Sequence, residues 1–217
     1  MGARPAAGGG RWVAVAPNRL ARWLAGFAER HGPPEIVIRG YAVLLGGPDG
    51  ATAELHRPPG AGPADDLDGF VAAAQAPRRL GLLLARRGAV AVGIAEGDRL
   101  VASKVDTHYV QGRTAAGGWS QQRFARRRVN QAKAAAADGA DLAARVLLPE
   151  AGALAALVAG GDRRAVEAIL ADRRLAPLAE LRDERLLDVP EPRHVVLVDA
   201  VAAARAVRIL VREPADP

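Results

Sequence analysis

An α/β fold is predicted: a single domain spanning residues 1–217, built on a mixed β-sheet flanked by helices. Short apolar runs bounded by turn residues cluster in the first half, whereas strand and helix patterns alternate in the second half. The chain has 217 residues, 50% of them hydrophobic, enough for a buried core in one domain. No repeat of fixed period divides it. The loop-like stretches at 57–65 and 189–193 are too short to act as interdomain linkers.

Residues 11–16 read as a strand, and Pro17-Asn18 opens a helix. Leu20, Trp23, Leu24 and Phe27 fall on one helical face, which ends at Gly32-Pro33-Pro34. Trp12 and Trp23 are expected in the core. Residues 36–38, 41–45 and 51–55 read as strands, the last two joined by the hairpin turn Gly46-Gly47-Pro48-Asp49-Gly50. A helix is expected over 66–74, with Asp65, Asp66 and Asp68 near its start as capping and dipole-complementing residues.

The runs 80–84, 89–94 and 100–105 predict three strands of an antiparallel meander. Residues 111–119 lose periodicity and read as a mobile Gly-rich loop. A helical pattern follows over 121–137, with a break expected at Asp138-Gly139 and a resumption to Leu148 before Pro149. Beyond it, 154–158 reads as a strand, 163–172 as a helix and 195–198 as a strand; 203–211 matches neither template.

With aromatics at 4%, the core must be built from Ala, Leu and Val. The absence of cysteine excludes disulfides, thiolate metal sites and a cysteine nucleophile, and fits a cytoplasmic setting. Without a signal-like leader or a long apolar run, a soluble protein with no membrane partner is expected. His31, His56, His108 and His194 share no metal-ligand spacing, and no phosphate-binding glycine motif occurs, so no metal or cofactor is expected.

The formal charge of +6 suits a polyanionic partner, and the basic excess is concentrated. From Gln111 to Ala137 the chain carries Arg113, Arg123, Arg126, Arg127, Arg128 and Lys133, and no acidic residue. Ser120 can cap the helix, which leaves Gln121 and Gln122 in the first turn beside unpaired backbone N–H groups. Ala125, Val129, Ala132 and Ala136 form a narrow apolar stripe. Arg123 and Arg127 stand one turn apart, ~6 Å, a spacing suited to successive phosphates. Trp119 can stack on a base or pack the loop onto the domain.

The stretch Gly117-Gly118-Trp119-Ser120-Gln121-Gln122-Arg123-Phe124-Ala125-Arg126-Arg127-Arg128 resembles a family signature. It is similar to the Gly-Gly-Gln loop and following Arg-Phe-Ala-Arg-x-Arg helix of the eukaryotic and archaeal class I peptide release factors. It resembles still more their relatives, the Vms-type release-factor-like peptidyl-tRNA hydrolases of ribosome quality control. Their loop carries a Gly-x-x-Gln pattern, which Gly118-Trp119-Ser120-Gln121 matches. When the helix is aligned on Arg123-Phe124-Ala125-Arg126, the release-factor glutamine falls on Trp119, so the glutamine here is the shifted Gln121, with Gln122 as second candidate.

The resemblance implies a release-factor catalytic domain with a ribonuclease-H-like sheet. It implies codon-independent hydrolysis of the peptidyl-tRNA ester on the large ribosomal subunit of stalled ribosomes, with no cofactor. Gly117, Gly118, Gln121 and Gln122 would form the catalytic loop. Arg113, Trp119, Arg123, Arg126, Arg127, Arg128 and Lys133 would contact RNA. Two other classes fit parts of the pattern. A non-catalytic RNA- or ribosome-binding module accounts for the charge but not for paired glycines and glutamines at this spacing. A Mg²⁺-dependent ribonuclease-H-like nuclease needs converging carboxylates, for which Asp106 at a strand end is the one well-placed candidate.

Overall fold

A computed structural model describes residues 4–86, 88–107 and 120–214, with 120–129 described by backbone alone. In chain order the elements begin with β1 (Arg4–Pro5), β2 (Arg11–Val15), α1 (Leu20–His31), β3 (Glu35–Arg39), β4 (Ala42–Gly46), β5 (Thr52–His56) and α2 (Leu67–Gln75). They continue with β6 (Arg79–Arg86), β7 (Ala89–Glu96), β8 (Arg99–Thr107), α3 (Ser120–Leu147), β9 (Ala156–Gly161) and α4 (Arg163–Leu170). The chain closes with α5 (Ala176–Glu180), β10 (Arg182–Leu187), α6 (His194–Arg205) and β11 (Val207–Arg212).

The α/β class and the mixed sheet are as expected, but the strands are shared between two sheets, in two compact units. Residues 1–77 and 202–217 form one unit and 78–201 the other. The first unit has the sheet order β1-β2-β11-β5-β4-β3, and all its strand pairs are antiparallel. One face of this sheet is apolar: Val43, Leu45, Ala53, Leu55, Val207 and Ile209 pack with Leu20 and Phe27 of α1 and with Phe70 and Ala74 of α2. Burying those side chains is the main stabilisation of the unit.

Polar details fasten its turns. Asp66 caps α2 by accepting from the Gly69 N–H at 2.7 Å, the capping role expected for it. In the 46–50 turn, Asp49 accepts from the Ala51 N–H at 3.0 Å and lies 2.8 Å from Nδ1 of His31, the last residue of α1. That contact to His31, followed by the Ala51 N–H, holds the Asp49 carboxyl below the usual carboxylate range. Trp12 and Trp23 are half-buried: Trp23 packs against the core as expected, whereas Trp12 is not part of it. Trp23 stacks on Phe27, and Trp12 lies under the Arg208 guanidinium, 4.4 Å from its ring centre.

The second unit has the sheet order β10-β9-β6-β7-β8. β6, β7 and β8 form the expected meander, and β9 and β10 add to it in parallel. Numbered within the unit the order reads 5-4-1-2-3 with the second strand antiparallel, the ribonuclease-H-like arrangement anticipated. One face carries Leu83, Val90, Val92, Ile94 and Leu157 beneath α3 and α4. On the opposite face Leu197 of α6 reaches Gly93, where a Cβ would stand 3.4 Å from Leu197 Cδ2.

Two sequence expectations are overturned here. Residues 195–198 are helix, not strand. Val196, Leu197, Ala200 and Val201 are buried while Val195 and Val198 are exposed, a helical spacing that three β-branched valines disguise in so short a window. The helix over 120–147 is also continuous through Asp138-Gly139. Gly139 there is a packing residue rather than a breaker, set against Ile169 and Val90. The unassigned 203–211 stretch divides into the end of α6 and β11.

Candidate functional site

The sequence-predicted site begins where β8 ends. β8 is the edge strand of its sheet, and Thr107, its last residue, pairs with Ala89. Register puts alternate β8 residues on opposite faces. Lys104 and Asp106, opposite Val92 and Val90, share the α3 face; Ser103, opposite Gly93, lies on the α6 face, where its Oγ is 3.2 Å from His194 Nδ1. Lys104 and Asp106 are both exposed.

Arg113, Gly117, Gly118 and Trp119, and the expected 111–119 loop as a whole, lie outside the described residues, as does His108. Gln121, Gln122, Arg123, Arg126, Arg127 and Arg128 belong to α3 by backbone, and their side chains lie outside the description. The helix starts at Ser120, so both glutamines occupy its first turn, where backbone N–H groups have no intrahelical acceptor.

The two halves of α3 differ. Its C-terminal half is anchored, with Ala140, Leu142, Ala143 and Leu147 in the core. Asn130, Gln131, Ala132, Lys133 and Ala134 are all exposed, more than one full turn, so no face of the helix is buried there. Of the expected apolar stripe, Ala132 is exposed and Ala136 is half-buried against the core, while the side chains of Ala125 and Val129 lie outside the description. At 28 residues the helix is about 42 Å long, and its basic N-terminal half leads away from the packed half. Lys133 borders an open, mainly alanine groove with Ala136, Ala168 and Asp172.

The anchored half is fastened by charge as well as packing. Asp162 caps α4, accepting from the N–H groups of Arg164 and Ala165 at 2.8 and 3.2 Å. Arg174 donates through Nη2 to Asp141 of α3 and to Asp172, both at 2.7 Å. The Arg174 side chain, then its backbone N–H, hold the Asp172 carboxyl down to about 2 and the arginine's own pKa is raised in turn. Sequence reading missed this clasp because Asp141 lies 33 residues before Arg174, although Asp172 and Arg174 belong to one short turn.

Asp65, Asp66 and Asp68 belong to the first unit and Asp106 to the second. Among the described residues, no group of three or more His, Cys, Asp or Glu side chains is placed to hold a metal ion.

The family model for the Actinobacteria/Chloroflexi VLRF1 release factors matches residues 78–210, well over half the chain. The chain belongs to this family. The match takes in the whole ribonuclease-H-like sheet, β8, α3 and the stretch between them, the part of the chain in which all the predicted site residues lie. Among solved structures, the archaeal translation termination factor aRF1 is 18% identical, with a TM-score of 0.44 and a match covering 74% of this chain and 48% of that one. A structure described only as an archaeal protein is 16% identical, with a TM-score of 0.40 and coverage of 74% and 51%. The chain thus spans about half the length of the solved structures it matches. No curated protein matches it. Among the described residues, no helix is long and apolar enough to cross a membrane.

Proposed function

We propose that this VLRF1-family chain hydrolyses the ester between peptide and tRNA on stalled ribosomes, independently of the codon, with the large subunit and peptidyl-tRNA as its partners. What supports this reading is the Gly118-Trp119-Ser120-Gln121 sequence inside the family match, with Ser120 and Gln121 opening α3 by backbone and residues 130–134 of that helix all exposed.

The chemistry follows from the residue types. Gly117 and Gly118 let the backbone approach RNA closely and adopt conformations closed to other residues. The Gln121 side-chain amide both donates and accepts, so it can orient a water toward the ester carbonyl without itself ionising. The N–H groups of the first turn and the positive end of the helix dipole favour the oxyanion that develops on that carbonyl. Arg123, Arg126, Arg127, Arg128 and Lys133, with Arg113 and Trp119 before them, grip RNA and set the loop in place. No general base is required of the protein, since the ribosome surrounds the ester in this reading.

The test is to incubate the purified chain with stalled ribosomes carrying labelled peptidyl-tRNA and to follow free peptide. Release at a rate proportional to bound protein is expected. Binding without release would leave a ribosome-docking module as the function.

A further inference from the structure

The first unit carries a surface that the release chemistry does not use. Its sheet is covered by α1 and α2 on one side; strand register defines what the other side presents. Trp12 pairs with Leu210, which pairs with Glu54, and one row along Arg208 pairs with His56, which pairs with Ala42, which pairs with Arg39. These residues alternate with the core positions Val13, Ile209, Leu55 and Val43, so they lie on the face away from the helices.

On that face four flat groups stand in sequence. The Arg208 guanidinium lies 4.4 Å over Trp12, the Trp12 and His56 rings are 5.1 Å apart, and Tyr41 is 6.4 Å from His56. Tyr41 is 64% exposed, whereas Trp12, Arg208 and His56 are half-buried and so held in place. Ala14, Ala42 and Thr52 keep the floor between them low. Arg39 and Arg212 are exposed at its margins. Arg39 and Arg208 stand three strand spacings, ~14 Å, apart across the sheet. Against these arginines the face sets Glu35 and Glu54, and Glu54 Oε1 is 3.1 Å from His56 Nε2.

We propose that this face binds single-stranded RNA, with bases stacking on Tyr41 and on the Trp12–Arg208 pair and phosphates meeting Arg39 and Arg212. Planar rings and guanidinium groups side by side suit unpaired bases, whose faces a duplex hides. The positive margin supplies the phosphate attraction. The surface lies in a different unit from α3, and its four flat groups owe nothing to the loop at 111–119.

The experiment uses the full chain carrying Arg123→Glu and Arg127→Glu, so that α3 contributes little, and a fluorescein-labelled, unstructured 12-nucleotide RNA followed by anisotropy. Trp12→Ala and Arg208→Ala should each weaken binding about tenfold, and Trp12→Phe should restore most of it. Arg39→Glu with Arg212→Glu, both at exposed positions, should weaken binding and flatten its salt dependence without moving the unfolding temperature. RNA containing 4-thiouridine should crosslink to peptides holding Trp12 or Tyr41. Unchanged affinity in the arginine pair and in Trp12→Ala, or crosslinks confined to 113–133, would overturn the proposal. Equal affinity for duplex RNA would overturn the stacking and reduce the face to a phosphate-attracting patch.

Discussion

Gly139 of α3 lies against Ile169 of α4 so closely that a Cβ at Gly139 would stand 2.8 Å from Ile169 Cδ1 and 3.0 Å from its Cγ1. Val90 Cγ2 closes the third side at 3.3 Å. Ile169 is itself buried, so a Cβ at Gly139 would require the end of its side chain to shift within the core. The helix that carries the predicted site thus meets the rest of the second unit at a contact that a glycine makes without displacing Ile169.

Gly139→Ala sets two effects against each other. Alanine favours the helix by ~1 kcal/mol, and forcing a methyl into this contact costs ~1–3 kcal/mol. A net loss of about 1 kcal/mol is expected in urea unfolding, and Gly139→Val should lose about 3 kcal/mol because its branched Cβ cannot turn away. A stabilised Gly139→Ala variant would mean that Ile169 yields freely.

Asp172 makes stability depend on pH in acid. Its carboxyl is held down to about 2 from an ordinary 3.8, chiefly by the Arg174 side chain. A depressed folded-state value means the contribution is complete above about pH 4 and is lost as pH falls toward 2. Parent and Asp172→Asn should thus differ by a constant amount at neutral pH and converge between pH 4 and pH 2 in unfolding midpoints. Because the pair is exposed, 1 M salt should shrink the difference as well. A gap persisting at pH 2 would assign the effect to the contact with the Arg174 N–H rather than to charge.

In the peptide-release assay, Gln121→Ala should slow release ~10²-fold while ribosome association is kept, the size of effect seen on losing one preorganised donor at a reacting centre. Gln122→Ala should do much less. Gly118→Ala should also slow release, because a Cβ restricts the backbone freedom that the proposed close approach to RNA requires. An inactive Gln122→Ala beside an active Gln121→Ala would move the catalytic glutamine one residue along; parent rates in both would end the catalytic reading.

Charge reversal at Arg123 and Arg127 should weaken ribosome binding and make its salt dependence shallower, by ~0.7–0.9 in log–log slope for each phosphate no longer neutralised. Sedimentation with ribosomes across a salt series reads this directly. An unchanged slope would return this part of α3 to an ordinary solvated surface.

Elements whose signals are local were legible in the chain before folding. The apolar face of α1, the Asp49-Gly50 hairpin turn, the Asp66 cap and the 79–107 meander each depend on residues within one turn or one strand pair of each other. The order of glycines, glutamines and arginines from 117 to 128 is equally local, and with it the family signature. Features that depend on distant partners emerge only in the folded molecule. β11 lies between β2 and β5, far from both in the chain, and so joins the early strands into one sheet of their own. The valines at 195–198 form a helix because one side of that helix is buried, and Gly139 continues α3 because Ile169 takes the space its missing side chain leaves. Trp12, apolar by composition, stands half-buried under Arg208 because cross-strand register turns it away from α1 and α2. Burial and pairing are relations between residues far apart in sequence, and hydrophobic periodicity within a short window contains no information about which distant surface will meet it.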